Sequence, residues 1–429
     1  MKKSKFVKST IILIIGGFLT KLLGMIIKII TTRFLGTEGI GIYMLLMPTF
    51  SLFIAISQLG FPVAISKLVA EETKNNKNLV FSIIPIALII NSIILVLIFL
   101  SSNFIANVLL HEERCKTAII CIGFVLPFIS ISSILRGYFF GKERMFPHVI
   151  SNFTEDIVRM IILYFGIPFF LKRGLEFAVA FLVLSNIISE LTSILILFLF
   201  LPKNFKITKK DFALKKQNLK DIFSISIPTT GSRLIGNIGY FFEPIILTNT
   251  LILTGYTNNF IINEYGIISG YVIPLLLLPS FFTMAISQAL IPVISKATAR
   301  GNKRYAYTKL KQAIFFSLLI GIPVTILFEV IPEIPLKLIY NTTKGITYIR
   351  FLAPICLLHY IQSPLASTLQ AMGKATDAMI GTFVGIIIRL LILFTTSLLH
   401  IGMWGLIFAT SANIIYVTLY DYSRIKKYL

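Results

Sequence analysis

Charged residues are scarce in this sequence: Asp, Glu, Lys and Arg make up 14% of its 429 residues, whereas soluble proteins contain about 25%. Hydrophobic residues make up 56%, and the mean hydropathy is +0.88. So much apolar surface cannot be hidden from water inside a soluble fold. The longest polar stretches, 202–221, 252–264 and 296–311, are far shorter than the roughly 50 residues that a separate soluble domain needs. The composition therefore excludes a soluble catalytic domain and indicates a polytopic membrane protein.

Residues that bind metals and cofactors are also few. The three cysteines have no CxxC spacing, and their odd number argues against a disulfide framework. The four histidines are scattered and form no metal-ligand pattern. A glycine-rich run at 137–143 lacks the spacing and the Ser or Thr of an ATP-binding loop. We expect no metal, no ATP site and no other cofactor.

Acidic residues are outnumbered, with 18 Asp and Glu against 40 Lys and Arg, which gives a net charge of +22. In a membrane protein this excess is typical of cytoplasmic loops that contact anionic lipid. We therefore expect membrane lipids, and not nucleic acid, as the partners of the basic residues.

Apolar runs of about 20 residues predict an all-α fold with about twelve transmembrane helices. They lie at 10–32, 40–66, 79–100, 117–136, 148–171, 177–201, 222–250, 265–295, 306–331, 346–372, 375–398 and 401–420. The first run follows four lysines, as in a signal peptide, but no small-residue cleavage site follows it. We expect it to be retained as the first helix.

The distribution of basic residues predicts the orientation. With the N-terminus inside, the inside segments carry 27 Lys and Arg and the outside segments carry 8. This asymmetry places both termini in the cytoplasm. Basic residues near the span ends are included in these counts, and we assign the remaining five to the membrane interior: Lys21, Lys28, Arg159, Arg233 and Arg389.

The sequence contains an internal repeat at a separation near 230 residues. The Ile-Ser-Gln run at 56–58 returns at 286–288, and the Ile-Val-Arg run that ends at Arg159 returns as the Ile-Ile-Arg run that ends at Arg389. Six spans separate equivalent points, so the two halves run in the same direction, as in a parallel repeat. We expect a six-helix lobe at 1–201, a basic cytoplasmic linker at 202–221 and a second six-helix lobe at 222–429. Two such lobes predict a central cavity and alternating access; a duplicated scaffold without transport is the alternative.

Charges at membrane depth cost about 3 kcal/mol or more and persist mainly where they are paired or face water. Lys21 and Lys28 share one face of the first helix with Gly17 and Gly24, and Arg233 lies on helix 7. These residues predict a cationic wall that receives an anionic head group. The alternative is that the lysines snorkel to the membrane surface.

The predicted fifth helix carries both signs of charge. Glu155 and Asp156 lie four and three residues before Arg159, close enough for an intrahelical ion pair. A structural charge pair fits this pattern as well as a site for substrate or a coupling ion.

Other intramembrane charges have no such local partner. Arg389 has no acid at the equivalent positions, so it must find one on another helix, bind water or meet an anion. Glu190 and Glu243 are candidates for binding a coupling ion, sodium or a proton, by the same argument of cost.

Three motifs resemble the stage V sporulation protein B group, in the polysaccharide transporter branch of the multidrug/oligosaccharidyl-lipid/polysaccharide exporter superfamily. They are Arg33–Tyr43, Gly60–Glu71 and Arg136–Gly141. The resemblance covers nearly the whole chain and includes the lipid II flippases as relatives. It implies a flippase of two six-helix lobes that moves undecaprenyl-linked saccharides outward in cell-wall or spore-cortex synthesis.

The resemblance also assigns residues. Lys21 and Lys28 lie where lipid II flippases carry basic residues on helix 1, and Arg33 matches the arginine before Leu-Gly. The eighth helix, at about 265–291, has no basic residue, although lipid II flippases usually have one there. A cation-coupled multidrug exporter of the same fold is the main alternative. A membrane glycosyl-transferring enzyme fits less well, because the outer loops are short.

Overall fold

The computed structural model describes residues 2–71, 76–202, 208, 212 and 216–429. In these residues the long elements are all helices and no strand occurs. The first half contains α1 (Lys2–Gln58), α2 (Phe61–Ala70), α3 (Asn76–Phe104), α4 (Cys115–Gly141), α5 (Met145–Leu171) and α6 (Leu175–Leu199). The rest contains α7 (Lys216–Leu253), α8 (Asn258–Gly266), α9 (Ile273–Leu276), α10 (Ser280–Ala299), α11 (Lys303–Val330), α12 (Glu333–Tyr340), α13 (Ile346–Ala371), α14 (Ala375–Ser397) and α15 (Trp404–Tyr428).

The twelve predicted spans all coincide with long helices or with consecutive helices in this series. Within the described residues, seven helices combine sufficient length with a nearly uncharged apolar stretch. Helix α5 is as long as most of them, with 27 residues, but its stretch includes Glu155, Asp156 and Arg159. The predicted fold class, an all-α polytopic membrane protein with about twelve spans, is confirmed.

The helix boundaries differ from the prediction at several places. The predicted break between spans one and two, at 33–39, is short: the backbone of α1 is non-helical at Gly36, where the helix is kinked. The φ of Gly36 is 66°, a conformation that glycine adopts without steric cost. The predicted span 40–66 is divided at Leu59 and Gly60, both of which have positive φ.

The eighth predicted span is also divided. A π-helical turn at Ile267–Val272 precedes α9, and α9 is separated from α10 by residues 277–279. Pro274 and Pro279 lie at or beside these breaks, where the missing N–H groups of proline favour an interruption. The polar segment 252–264 is not wholly a loop, because α8 begins at Asn258.

The chain divides into two compact units, Met1–Phe241 and Phe242–Leu429, with the division inside α7. In the first unit α6 packs on α4 and α5, and α4 packs on α2 and α3. In the second unit α15 packs on α13 and α14, and α13 packs on α10 and α11. The second unit thus repeats the helix packing of the first, as its sequence repeats that of the first half. The predicted lobe limits, 1–201 and 222–429, stay a prediction.

Two GxxxG pairs provide the close helix contacts that their spacing predicts. A Cβ atom at Gly137 would lie 2.6 Å from the carbonyl oxygen of Pro62 on α2, and one at Gly141 would lie 2.6 Å from that of Ser66. In the second unit Gly381 and Gly385 make equally close contacts with α15. These glycines therefore set the approach of the helices.

We expect Gly137→Ala to destabilise the protein by about 1–3 kcal/mol, because the added methyl group must push α2 away from α4. The measurement is the melting temperature of the purified protein in detergent. Gly17→Ala is the matched control, since a Cβ there would meet nothing within 4 Å. Equal melting temperatures for the two variants would show that α2 and α4 tolerate the added volume.

Candidate functional site

Exposed basic residues occupy the long helices of the first unit. Lys21 and Arg33 are exposed on α1, and Arg233 is exposed on α7. Gly17 and Gly24, which share a face with Lys21, have open space where a side chain would start. The basic face of α1 that the sequence predicts is therefore not covered by other side chains at Gly17 and Gly24, on either side of Lys21.

Arg233 contacts the repeated Ile-Ser-Gln motif. Its guanidinium Nη1 donates a hydrogen bond to Oε1 of Gln58, at 3.2 Å, near the end of α1. The amide is neutral, so the positive charge of Arg233 is not neutralised by this contact. The side chain of Gln288, the equivalent residue of the second half, lies outside the described set.

Lys28 is placed differently from Lys21. It is half-buried and lines a cavity of about 220 Å³ inside the first unit, together with Tyr43, Arg159 and Asn186. The two lysines of the predicted stripe therefore have separate environments. Both remain candidates for binding an anion.

A buried charge network joins α4, α5 and α6. Arg136 Nη2 lies 2.5 Å from Glu155 Oε2 and 3.4 Å from Glu190 Oε2, and it donates a hydrogen bond to Ser193 Oγ at 2.8 Å. Ser132 donates a further hydrogen bond to Glu190. Two of the predicted intramembrane acids, Glu155 and Glu190, thus share one arginine.

The sequence analysis counts Arg136, at the end of the fourth predicted span, among the 27 inside charges of the loops. Its side of the membrane stays a prediction, but the structure places it in a helix and not in a loop. Helix α4 extends to Gly141, so Arg136 lies about 7.5 Å inside its end and its side chain is only 19% exposed. A signal was present in the sequence: α5 and α6 carry three acids in the membrane against one arginine, Arg159. An additional cation from another helix was needed for neutrality.

The intrahelical pair expected on α5 is present. Arg159 Nη2 lies 2.9 Å from Glu155 Oε1, four residues earlier, and Arg159 also contacts Ser189 Oγ at 3.3 Å. Asp156, the other predicted partner, forms no ion pair with a described residue. Glu155 therefore bridges two arginines, Arg136 and Arg159.

Arg389 finds an acid on another helix, which was the first of its three predicted options. Its Nε atom lies 2.9 Å from Oε2 of Glu243 on α7, within the second unit. Glu243 is buried. The geometry at Glu190 and Glu243 is thus that of charge pairs with arginines, and their coupling role stays a prediction.

Metal ligation finds no support in the described residues, where no group of three or more His, Cys, Asp or Glu could hold an ion. The cysteines Cys115, Cys121 and Cys356 are buried and separate. The arrangement of this chain is therefore one of arginine–carboxylate pairs inside the units and exposed cations on α1 and α7.

Comparison with known proteins identifies the family. Residues 6–298 match the family model described as polysaccharide biosynthesis protein. The chain belongs to the polysaccharide biosynthesis protein family. Residues 244–395 additionally match the MatE family model. The predicted resemblance is confirmed, and so is the prediction that the chain is not an enzyme.

Among its relatives is stage V sporulation protein B of Bacillus subtilis (strain 168), 35% identical over 100% of this chain and 85% of that protein. Lipid II flippase MurJ of the same organism is 23% identical over 99% of this chain and 83% of that protein. A solved multidrug resistance MATE family transporter of the MOP superfamily, in an inward-facing conformation, shares the fold. Its TM-score is 0.76 at 18% identity, over 95% of each chain.

We expect Arg389→Gln to destabilise the protein by about 3–5 kcal/mol, because it leaves the Glu243 carboxylate buried without its cation. The effect comes from a contact between helices, since no acid lies near Arg389 along α14. The double variant Arg389→Gln/Glu243→Gln should recover most of the loss in melting temperature. A double variant that melts no later than Arg389→Gln would show that the pair is not coupled.

Proposed function

We propose that this protein is a flippase that moves lipid-linked saccharides outward across the cell membrane by alternating access. The observation that supports it best is the division of the charges: the intramembrane acids Glu155, Glu190 and Glu243 are paired with arginines, whereas Lys21 and Arg233 are exposed. Among the predicted intramembrane residues, the exposed charges are thus basic.

Basic charge suits the diphosphate of a lipid-linked saccharide. Lysine and arginine bind phosphate through short, charge-assisted hydrogen bonds. A cationic drug would instead need accessible carboxylates, and Glu155, Glu190 and Glu243 each contact an arginine. Among the predicted intramembrane acids this leaves half-buried Asp156. This distribution favours the flippase over the alternative, a cation-coupled multidrug exporter of the same fold.

The family supports a cell-wall or spore-cortex precursor on an undecaprenyl carrier as the substrate. One relative is a stage V sporulation protein and another is a lipid II flippase. The eighth span carries no basic residue before Lys296, so the cation that lipid II flippases usually have there is supplied, in our proposal, by Arg233. Arg33 and Lys28 complete the proposed set of substrate-binding cations, and Arg389 acts mainly as the partner of Glu243.

We further propose that the lobes at 1–201 and 222–429 move against each other around the linker at 202–221, with both termini in the cytoplasm. Membrane lipids surround the apolar surface. Sodium or a proton is the proposed coupling ion, and the acids Asp156, Glu190 and Glu243 are its candidate sites.

The orientation predicts that reporter tags inserted at residue 210, which lies outside the described residues, and at the C-terminus are both cytoplasmic. The reason is the asymmetry of basic loop residues, which survives the transfer of Arg136 from a loop to α4. Fluorescent and phosphatase fusions measure the side of each tag. An extracellular signal from either position would contradict the assignment.

We expect Lys21→Ala and Arg233→Ala each to reduce flipping at least about tenfold, as the loss of one charge-assisted phosphate contact implies. Translocation of a fluorescent lipid-linked precursor in reconstituted vesicles measures this. Insertion and melting temperature should stay unchanged, because neither side chain is buried.

Lys172→Ala, at an exposed lysine after α5, is the matched control for lost charge, and Lys21→Arg should retain activity. Full flipping by both Lys21→Ala and Arg233→Ala would refute the role of the exposed cations.

A further inference from the structure

A pocket of about 510 Å³ lies in the second unit, beside the turn that joins α10 to α11. Both helices are long and apolar enough to cross a membrane. The described lining of the pocket consists of Val293, Lys296, Ala297, Arg300, Asn302 and Tyr305. The pocket is therefore at the ends of two membrane helices, and two of its lining side chains are cationic.

The turn beside the pocket has a defined backbone. The N–H of Asn302 donates to the carbonyl oxygen of Ala297 at 3.0 Å, and the N–H of Gly301 donates to that of Thr298 at 2.9 Å. With the φ of Gly301 at 70°, these are the two hydrogen bonds of a Schellman motif. The side chain of Asn302 then accepts a hydrogen bond from the N–H of Tyr305 at 3.0 Å and caps α11. The turn therefore holds the two helix ends, and the pocket between them, in place.

The positive charge of this pocket is not balanced by acids on the elements around it. Between Glu264 and Glu329 the sequence has no Asp or Glu, whereas residues 296–311 include six Lys and Arg. Helix α10 packs on α11 and α13, and α13 also contains no acid. Within the described residues, Lys296 and Arg300 form no ion pair. The pocket therefore attracts an anion.

Exposed apolar side chains continue the Tyr305 face of α11 away from the turn. Phe316 follows Tyr305 by eleven residues, about three turns, and Leu319 and Ile326 follow at helical spacing. All three are exposed. A tyrosine at the start of such a face is typical of the level of the lipid head groups. The face below the pocket therefore suits acyl chains.

The volume of the pocket suits a head group. Sites for ligands of drug size occupy about 300–1,000 Å³, and this pocket of about 510 Å³ falls within that range. It has room for a phosphate together with the glycerol group that carries it. Lysine and arginine bind such a phosphate through short, charge-assisted hydrogen bonds.

We propose that this pocket binds the head group of an anionic glycerophospholipid, with the phosphate held by Lys296 and Arg300 and the acyl chains along the exposed face of α11. The 296–311 segment lies on the predicted cytoplasmic side, where anionic lipids attract basic residues. The lipid is a bound ligand and not the transported substrate. The site contains none of the cations that we assign to the lipid-linked saccharide.

Native mass spectrometry of the purified full-length protein, titrated in detergent with phosphatidylglycerol, tests the site. The unmodified protein should bind phosphatidylglycerol more tightly than phosphatidylcholine, whose head group has no net charge. The double variant Lys296→Gln/Arg300→Gln should lower the affinity for phosphatidylglycerol at least about tenfold, because two charge-assisted contacts are lost.

The double variant Lys303→Gln/Arg304→Gln is the matched control. It removes one lysine and one arginine from the same turn, at exposed positions outside the described lining, and it should retain the affinity. Equal losses in the two double variants, or equal affinities of the unmodified protein for the two lipids, would overturn the proposal.

A variant without a change of charge tests the location. Val293→Phe narrows the pocket, so it should also weaken phosphatidylglycerol binding, and unchanged binding would count against the pocket.

Competition identifies the source of the phosphate. Water-soluble glycerol phosphate at the same concentration should leave the lipid bound, because it cannot contact the apolar face of α11. Displacement by glycerol phosphate would contradict a lipid site and assign the pocket to a soluble anion. Binding is measured without transport, so the result is independent of the proposed flippase function.

Discussion

A charge inside a membrane must be paired or reach water, and the described structure of this chain depends on that constraint. In the first unit Glu155 bridges Arg136 and Arg159, and Arg136 reaches Glu190. These contacts join α4, α5 and α6, which are the helices that pack closely there. In the second unit the pair of Arg389 and Glu243 links α14 to α7. The intramembrane pairs therefore fix the helices against one another, because the separation of any pair would expose an unpaired charge to an apolar environment.

The same constraint separates structural from functional charge. An arginine bound to a buried carboxylate is not available for a second anion at full strength, whereas exposed Lys21 and Arg233 can exchange water for phosphate. Lys28 is intermediate, because it is half-buried and lines a small cavity. The first unit thus contains three kinds of cation: arginines paired with buried carboxylates, exposed cations, and half-buried Lys28. They differ in their access to water. This division supports an anionic substrate better than a cationic one.

The sequence predicted the features that depend on local composition. The twelve apolar runs and the Arg159 pair on α5 can each be recognised within a single helix. The repeat of the Ile-Ser-Gln motif can be recognised by comparing the two halves of the sequence. Features that depend on contacts between distant helices could not be read in this way. The partner of Arg389 lies on α7. Arg136 was assigned to a loop because it lies at the end of the predicted apolar run, five residues before the end of α4. The interruption at Gly36 was predicted as a loop at 33–39, but its short length, a kink with helix on both sides, depends on the backbone angles of one glycine.

The central claim is that Lys21 and Arg233 face water while the paired charges do not. Single Lys21→Cys and Arg233→Cys variants, labelled in intact membranes with a hydrophilic thiol reagent, test it most directly. The unmodified protein provides the blank, because its three cysteines are buried, and Ser132→Cys next to Glu190 provides a buried site. The account predicts rapid labelling at positions 21 and 233 and little at 132. Labelling at 21 and 233 as slow as at 132 would place these residues against lipid or protein and would contradict it.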